Sequence, residues 1–247
     1  NSLTFDKIVS ALLPLQPRGG TNMMTGIKTS LEKLLEAKSS SIDDSFNYRV
    51  IVLTDMNTNL GDTKPTSLRS VINNFAEEHQ IYTTYIGIGI DFNTQLAEDL
   101  AGIRGGNYKA ILNEEEFKKQ MTENFAYMVS PVAFDVKVHL DSEYFAIDSV
   151  YGVPGKDNLQ PDMVMYSKNI FPTPKDESDN VKGGVILVKL KVKNVEKFEQ
   201  AKSSKSRIDL NFETDYVDFK GVSGKHSNSM TIDLGHLETN HQEESFY

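Results

Sequence analysis

Two short stretches of this 247-residue chain carry residue types suited to a hard cation. One is the apolar run Val50-Ile51-Val52-Leu53, which ends in Thr54-Asp55. The other is the glycine turn Gly19-Gly20-Thr21-Asn22 upstream of it, which runs into a helical pattern. Open parallel α/β sheets place their ligands at the carboxyl ends of strands. If 50–53 is such a strand, the Thr21 hydroxyl and the Asp55 carboxylate share one rim. Mg²⁺ takes oxygen ligands of this kind and usually keeps several waters.

The elements around these residues fall into two regimes. Residues 1–130 alternate helix and strand patterns. Leu3, Phe5, Ile8, Val9, Leu12 and Leu13 recur at helical spacing, and Pro14 and Pro17 end the segment. Ile27, Leu31, Leu34 and Leu35 form a second amphipathic stripe, followed by a polar loop over 39–47. Residues 49–54 are a buried strand, and 57–65 are turn-rich. Val71, Ile72 and Phe75 mark a helix, 81–90 a strand, 96–103 a short helix and 108–112 a brief strand. Glu114-Glu115-Glu116 opens one further helix, with Phe117, Met121, Phe125 and Met128 on its core face. Such alternation predicts a parallel α/β sheet. From Pro131 the period changes to two: Phe134, Val136, Val138 and Leu140 alternate with polar residues, as do 185–192 and 208–212. This predicts an antiparallel β-sandwich-like domain. The expected division is 1–130, 131–235 and a tail over 236–247.

Bulk properties narrow the function classes. The net charge is −9, with both halves mildly acidic, which argues against non-specific nucleic-acid binding. The absence of cysteine excludes disulfides, thiolate zinc sites and cysteine nucleophiles. No apolar run reaches the length of a membrane helix. No Asn-x-Ser/Thr acceptor occurs, which disfavours a heavily glycosylated ectodomain.

Four segments, in order, resemble the von Willebrand factor type A (VWA) family. Gly19-Gly20-Thr21-Asn22-x-x-Thr25-Gly26-Ile27 is similar to its second metal-site segment. Leu53-Thr54-Asp55 with Asn57-Thr58-Asn59-Leu60-Gly61-Asp62-Thr63 is similar to its third. The 81–89 strand and the Gly105-Gly106-Asn107-Tyr108 turn follow in family order. Bacterial VWA proteins with a β-rich segment beginning like 130–138 form the nearest subgroup. The resemblance covers roughly residues 3–155. It implies a Rossmann-like parallel sheet flanked by helices, present here in part. It also implies a metal-ion-dependent adhesion site (MIDAS), with Thr21 and Asp55 in two of the ligand roles.

The family's Asp-x-Ser-x-Ser loop is absent. Asp43-Asp44-Ser45 lies after the Thr21 helix, the wrong place for it, and Met56 stands where the family has glycine. The expectation is therefore a split site. An N-terminal fragment, an upstream region or a second chain completes the sheet and the coordination of Mg²⁺ (or Ca²⁺ or Mn²⁺). The metal then binds an acidic side chain of a partner protein.

Plainer roles stand beside these. Thr21 is also a candidate helix cap, and Asp55 a strand-end turn residue, although a carboxylate after four apolar residues is costly unless paired. Asn57 and Asn59 fit as turn formers, with a supporting contact to a metal ligand as the lesser alternative. None of the five histidines has metal-ligand spacing, and no nucleophile elbow is present. The overall expectation is a non-enzymatic adhesion or binding module, with a cell-surface, periplasmic or extracellular setting favoured. The alternative is an assembly scaffold with a degenerate metal site.

Overall fold

The computed structural model describes residues 5–16, 19–41, 46–55, 59–88, 93–153, 159–175, 178–181 and 183–236. Leu3, Asp43-Asp44-Ser45, Met56, Asn57, Gly89 and the tail beyond His236 lie outside them.

Three parallel strands form the first sheet, in the order β1 (Tyr48–Thr54), β2 (Ile81–Ile88), β3 (Asn107–Ile111). Four helices precede or connect them: α1 (Phe5–Leu12), α2 (Met23–Ser39), α3 (Pro65–His79) and α4 (Thr94–Ala101). The apolar stripes of α2 and α3 explain the packing on one face. Ile27, Leu31, Leu68 and Ile72 meet Val50, Ile81 and Tyr85 there. On the opposite face Ile86 packs with Ile111, Met128 and Ile51. With both faces covered, β2 is buried from Ile81 through Gly87, which is why its sequence does not alternate.

The single helix expected after Glu114 is two. α5 (Glu114–Met121) stops at Thr122, and α6 (Phe125–Val129) resumes beyond it. Thr122 leaves the helical region (φ −117°, ψ −80°), and its hydroxyl bonds the Lys118 carbonyl. A hydroxyl competing for the carbonyl four residues back loosens a helix. Met128 reaches the core, but Phe125 stays exposed.

The second half is antiparallel, as the alternation predicts. One sheet runs β6 (Met163–Ile170), β4 (Ala133–Asp141), β8 (Arg207–Asp218), β9 (Ser223–Asp233), and β5 (Phe145–Tyr151) pairs with β7 (Leu187–Val192). Leu140, Val164 and Leu210 of the larger sheet pack against Ile147, Val188 and Leu190 of the smaller. A helix not foreseen, α7 (Val195–Ser204), closes one end through Phe198 and Ala201.

The halves interlock. Phe134 of β4 is buried in the core of the parallel sheet, with its ring 5.5 Å from that of Tyr82. Asn169 of β6 reaches the turn before β3. Its amide donates to the carbonyls of Ala101 (3.0 Å), Ile103 (2.8 Å) and Gly106 (3.3 Å), while its oxygen accepts from the Gly105 N–H (2.6 Å). Asp135, at φ +50° beside a bulge in β4, pairs with Arg104 and with Lys168, which also pairs with Glu77 of α3. Burial alone would raise the Asp135 carboxyl. The Lys168 ammonium, the Arg104 guanidinium and the Tyr166 hydroxyl outweigh it and hold the group below its ordinary value. Among the described residues, no helix is long and apolar enough to cross a membrane.

Candidate functional site

The carboxyl rim of the parallel sheet is built from three loops. The first carries Thr21 into α2. The helix cap is the next residue, Asn22, whose Oδ1 accepts from the Thr25 N–H at 3.1 Å. The Thr21 hydroxyl is therefore not the cap, which sets aside the plainer role weighed for it.

Asn59, on the loop after β1, ties this turn to the strand that ends in Asp55. Its Oδ1 accepts from the Thr21 N–H at 2.6 Å. The N–H groups of Asn59 and Leu60 both donate to the Thr21 carbonyl at 3.1 Å. The contact is close enough to require glycine on both loops. A Cβ at Gly20 would overlap the Asn59 and Leu60 side chains, and one at Gly61, where φ is +74°, would overlap Asn22. The spacing that marks this stretch as turn-rich thus also locks two loops together.

Asp55 sits exposed at the end of β1. Its carbonyl accepts from the Asn93 N–H at 3.2 Å, and Asn93 caps α4 through the Leu96 N–H. Thr21 and Asp55 are thus each held by a backbone contact to a neighbouring loop. Asp62, on the same loop as Asn59, is turned away from this task. The Lys64 N–H, followed by the Ser67 side chain, holds its carboxyl below the ordinary value at the start of α3.

The sequence missed the bridging role of Asn93, and for Asn59 offered a supporting contact only as the lesser alternative, with no partner named. Asn93 followed by the Leu96–Leu100 stripe carries the signal of a helix cap. Asn59 carries none, because its partner lies 38 residues away.

A hydroxyl and a carboxylate are hard donors, matched to Mg²⁺ in type. Their number falls short of a six-oxygen shell, and among the described residues no three Asp, Glu, His or Cys side chains cluster as a metal group.

No family model matches the chain. The uncharacterized protein YfbK of Escherichia coli is 26% identical over 136 residues, which are 55% of this chain and 23% of that protein. The chain therefore spans about a quarter of the length of this relative. Among solved structures, a von Willebrand factor type A protein from Catenulispora acidiphila aligns over 88% of this chain and 48% of its own, at 15% identity and a TM-score of 0.43. The human COPII-coat protein Sec24c aligns over 92% of this chain and 31% of its own, at 12% identity and a TM-score of 0.48. The likeness to these two is one of fold alone. Helices alternating with parallel strands, then antiparallel sheets, give this chain an α/β half followed by a β-rich half.

Proposed function

We propose that this protein is a non-enzymatic protein-binding module whose contact point is the Thr21–Asp55 rim. The observation that supports it is the cross-linking of the rim loops: Asn59 on Thr21, and Asn93 on Asp55. Such bonds fix the backbone that carries two oxygen-bearing side chains before any ligand arrives, so less ordering entropy is left to lose on binding. A divalent cation would supply a concentrated positive charge with an open position for a partner's carboxylate. Thr21 contributes a neutral hydroxyl and Asp55 a single negative charge, so a site held by these two keeps net positive charge for an acidic partner.

The remaining oxygen ligands come, in this reading, from a segment that pairs with β1. That strand lies at the edge of the sheet order, with Leu53 49% exposed. Phe5, Leu12 and Leu13 of the α1 region are exposed as well. An apolar edge of this kind is a template for another strand.

The test is a Mg²⁺ and Mn²⁺ titration followed by melting temperature. A ligand that binds the folded state must raise stability by mass action, about 2.7 kcal/mol at a hundredfold excess over Kd. The expected result is a rise that disappears in Asp55→Ala. A rise that survives this substitution, or no rise when the sheet-completing segment is supplied, favours the scaffold reading. That no cluster of metal-binding side chains is found among the described residues is what keeps that second reading in play.

A further inference from the structure

On the face of the sheet opposite α2 and α3 lies a guanidinium with half of its hydrogen-bonding edge unused. Arg49 of β1 directs Nη1 at three oxygens: the Thr83 carbonyl (3.0 Å), Thr84 Oγ1 (2.9 Å) and the Gly105 carbonyl (2.7 Å). Its Nε and Nη2 are shielded from solvent and have no partner among the described residues. Nε–H and Nη2–H are the two parallel donors of the side-on fork, the geometry that matches a carboxylate with two bonds. The rings of Tyr82 and Phe171 lie 5.5 and 5.7 Å from the guanidinium carbon. Burial pushes the Arg49 pKa down to about 10, partly offset by Tyr82 and Tyr85, and no carboxylate contributes to the balance. A buried cation without a counter-charge is costly, and an arriving anion would relieve that cost.

Phe171 is also a wall of a cavity of about 240 Å³. Asn107, whose register partner is the Thr84 that Arg49 touches, forms another part of that wall. Lys109, Gln120 and Tyr127 add polar groups, and Pro172 adds apolar surface. In a chain of net charge −9, no acidic side chain among the described residues lines this cavity. The volume lies just below the roughly 300–1,000 Å³ of pockets that hold drug-sized ligands.

We propose that this cavity binds a carboxylate carried on an apolar body, with the Phe171 ring swinging aside so that Nε–H and Nη2–H of Arg49 take the two oxygens. Lys109 draws the anion in, and Met128, Phe171 and Pro172 cover the apolar part. The ligand is an amino-acid-sized acid or the C-terminal residue of a peptide. The site is separate from the Thr21–Asp55 rim and does not depend on a metal there.

Calorimetric titration of the full chain tests it, with N-acetylphenylalanine, its uncharged amide, and inorganic phosphate as probes. The acid is expected to bind, and the amide to bind at least about tenfold more weakly, the worth of one charge-assisted bond. Arg49→Met should cost the acid about tenfold or more, and Lys109→Met, at an exposed position, a few fold. Melting curves establish that each variant is folded, and Lys109→Met keeps the test open if Arg49→Met is not. Affinity for a tripeptide ending in phenylalanine above that for the single residue identifies a chain end as the source; equal affinity identifies a small acid. Equal binding of acid and amide overturns the proposal. So does tighter binding of phosphate than of acid, no binding of the acid at about 20 mM, or unchanged affinity in a folded Arg49→Met.

Discussion

β1 and β2 are neighbours in one sheet and similar in composition, yet they meet different surroundings. β2 is buried along seven of its eight residues. β1, with Val50-Ile51-Val52-Leu53 at its centre, has a single buried residue, Val50, and exposes Leu53. The cause is position: among the described residues β2 has a strand on each side and β1 on one. Apolarity in a sequence therefore marks the burial a strand is built for, and the sheet order shows where described neighbours supply it. β1 carries the sequence of an interior strand at an edge.

The largest expected difference comes from truncating each strand. Ile86→Ala should cost about 3 kcal/mol, the cost of emptying a closed core site, whereas Leu53→Ala should stay within about 0.5 kcal/mol, the range of exposed substitutions. Urea unfolding measures both, and equal losses would break the comparison. Should a segment dock on the β1 edge, the Leu53→Ala loss must grow in its presence.

The next effect concerns the covered side, where Asp135 joins the halves. Asp135→Ala should cost about 2 kcal/mol, because it removes a half-buried pairing and leaves alanine in a left-handed conformation. Asp135→Asn should cost less, since asparagine tolerates that conformation. The sign of the pH effect follows from the lowered carboxyl. Its stabilisation is complete above the unfolded value of about 3.9 and is lost as pH falls through the lower folded value. Asp135→Asn should flatten this acid-side slope in unfolding curves.

A smaller loss is expected at the rim. Gly20→Ala must push Asn59 and Leu60 aside, at about 1–2 kcal/mol for overpacking a tight contact. Any metal-dependent rise in melting temperature should fall with it. The smallest effect on stability, and the sharpest on behaviour, belongs to Leu53→Lys. It should change folding by less than about 0.5 kcal/mol and lower the concentration-dependent light scattering that an open apolar edge promotes. Unchanged scattering would show that the edge is already protected.

Much of this architecture was legible from periodicity. Ile27, Leu31 and Leu34 announced α2, the β-branched and aromatic 81–90 run announced the strand that became β2, and the Phe134–Leu140 alternation announced β4. Other parts depend on partners that sequence spacing does not name. Nothing near Thr122 marks a break, because the competing hydroxyl bond forms only once the helix exists. α7 was hidden by strand-like neighbours, although Asn194 with Phe198 and Ala201 carries a cap and a helical stripe. At the rim, Thr21 and Asp55 stood out by residue type, while Asn59 acts through a contact that only folding creates. The unused fork of Arg49 is likewise invisible in the sequence, where an arginine beginning an apolar run resembles an ordinary strand end.

The Asn169 amide has a mechanical consequence. Four hydrogen bonds from one side chain hold the turn that launches β3, and that side chain sits near the end of a strand in the other half. A tug on β6 is delivered through this residue to the last strand of the parallel sheet, so the β-rich half works as a handle on its neighbour.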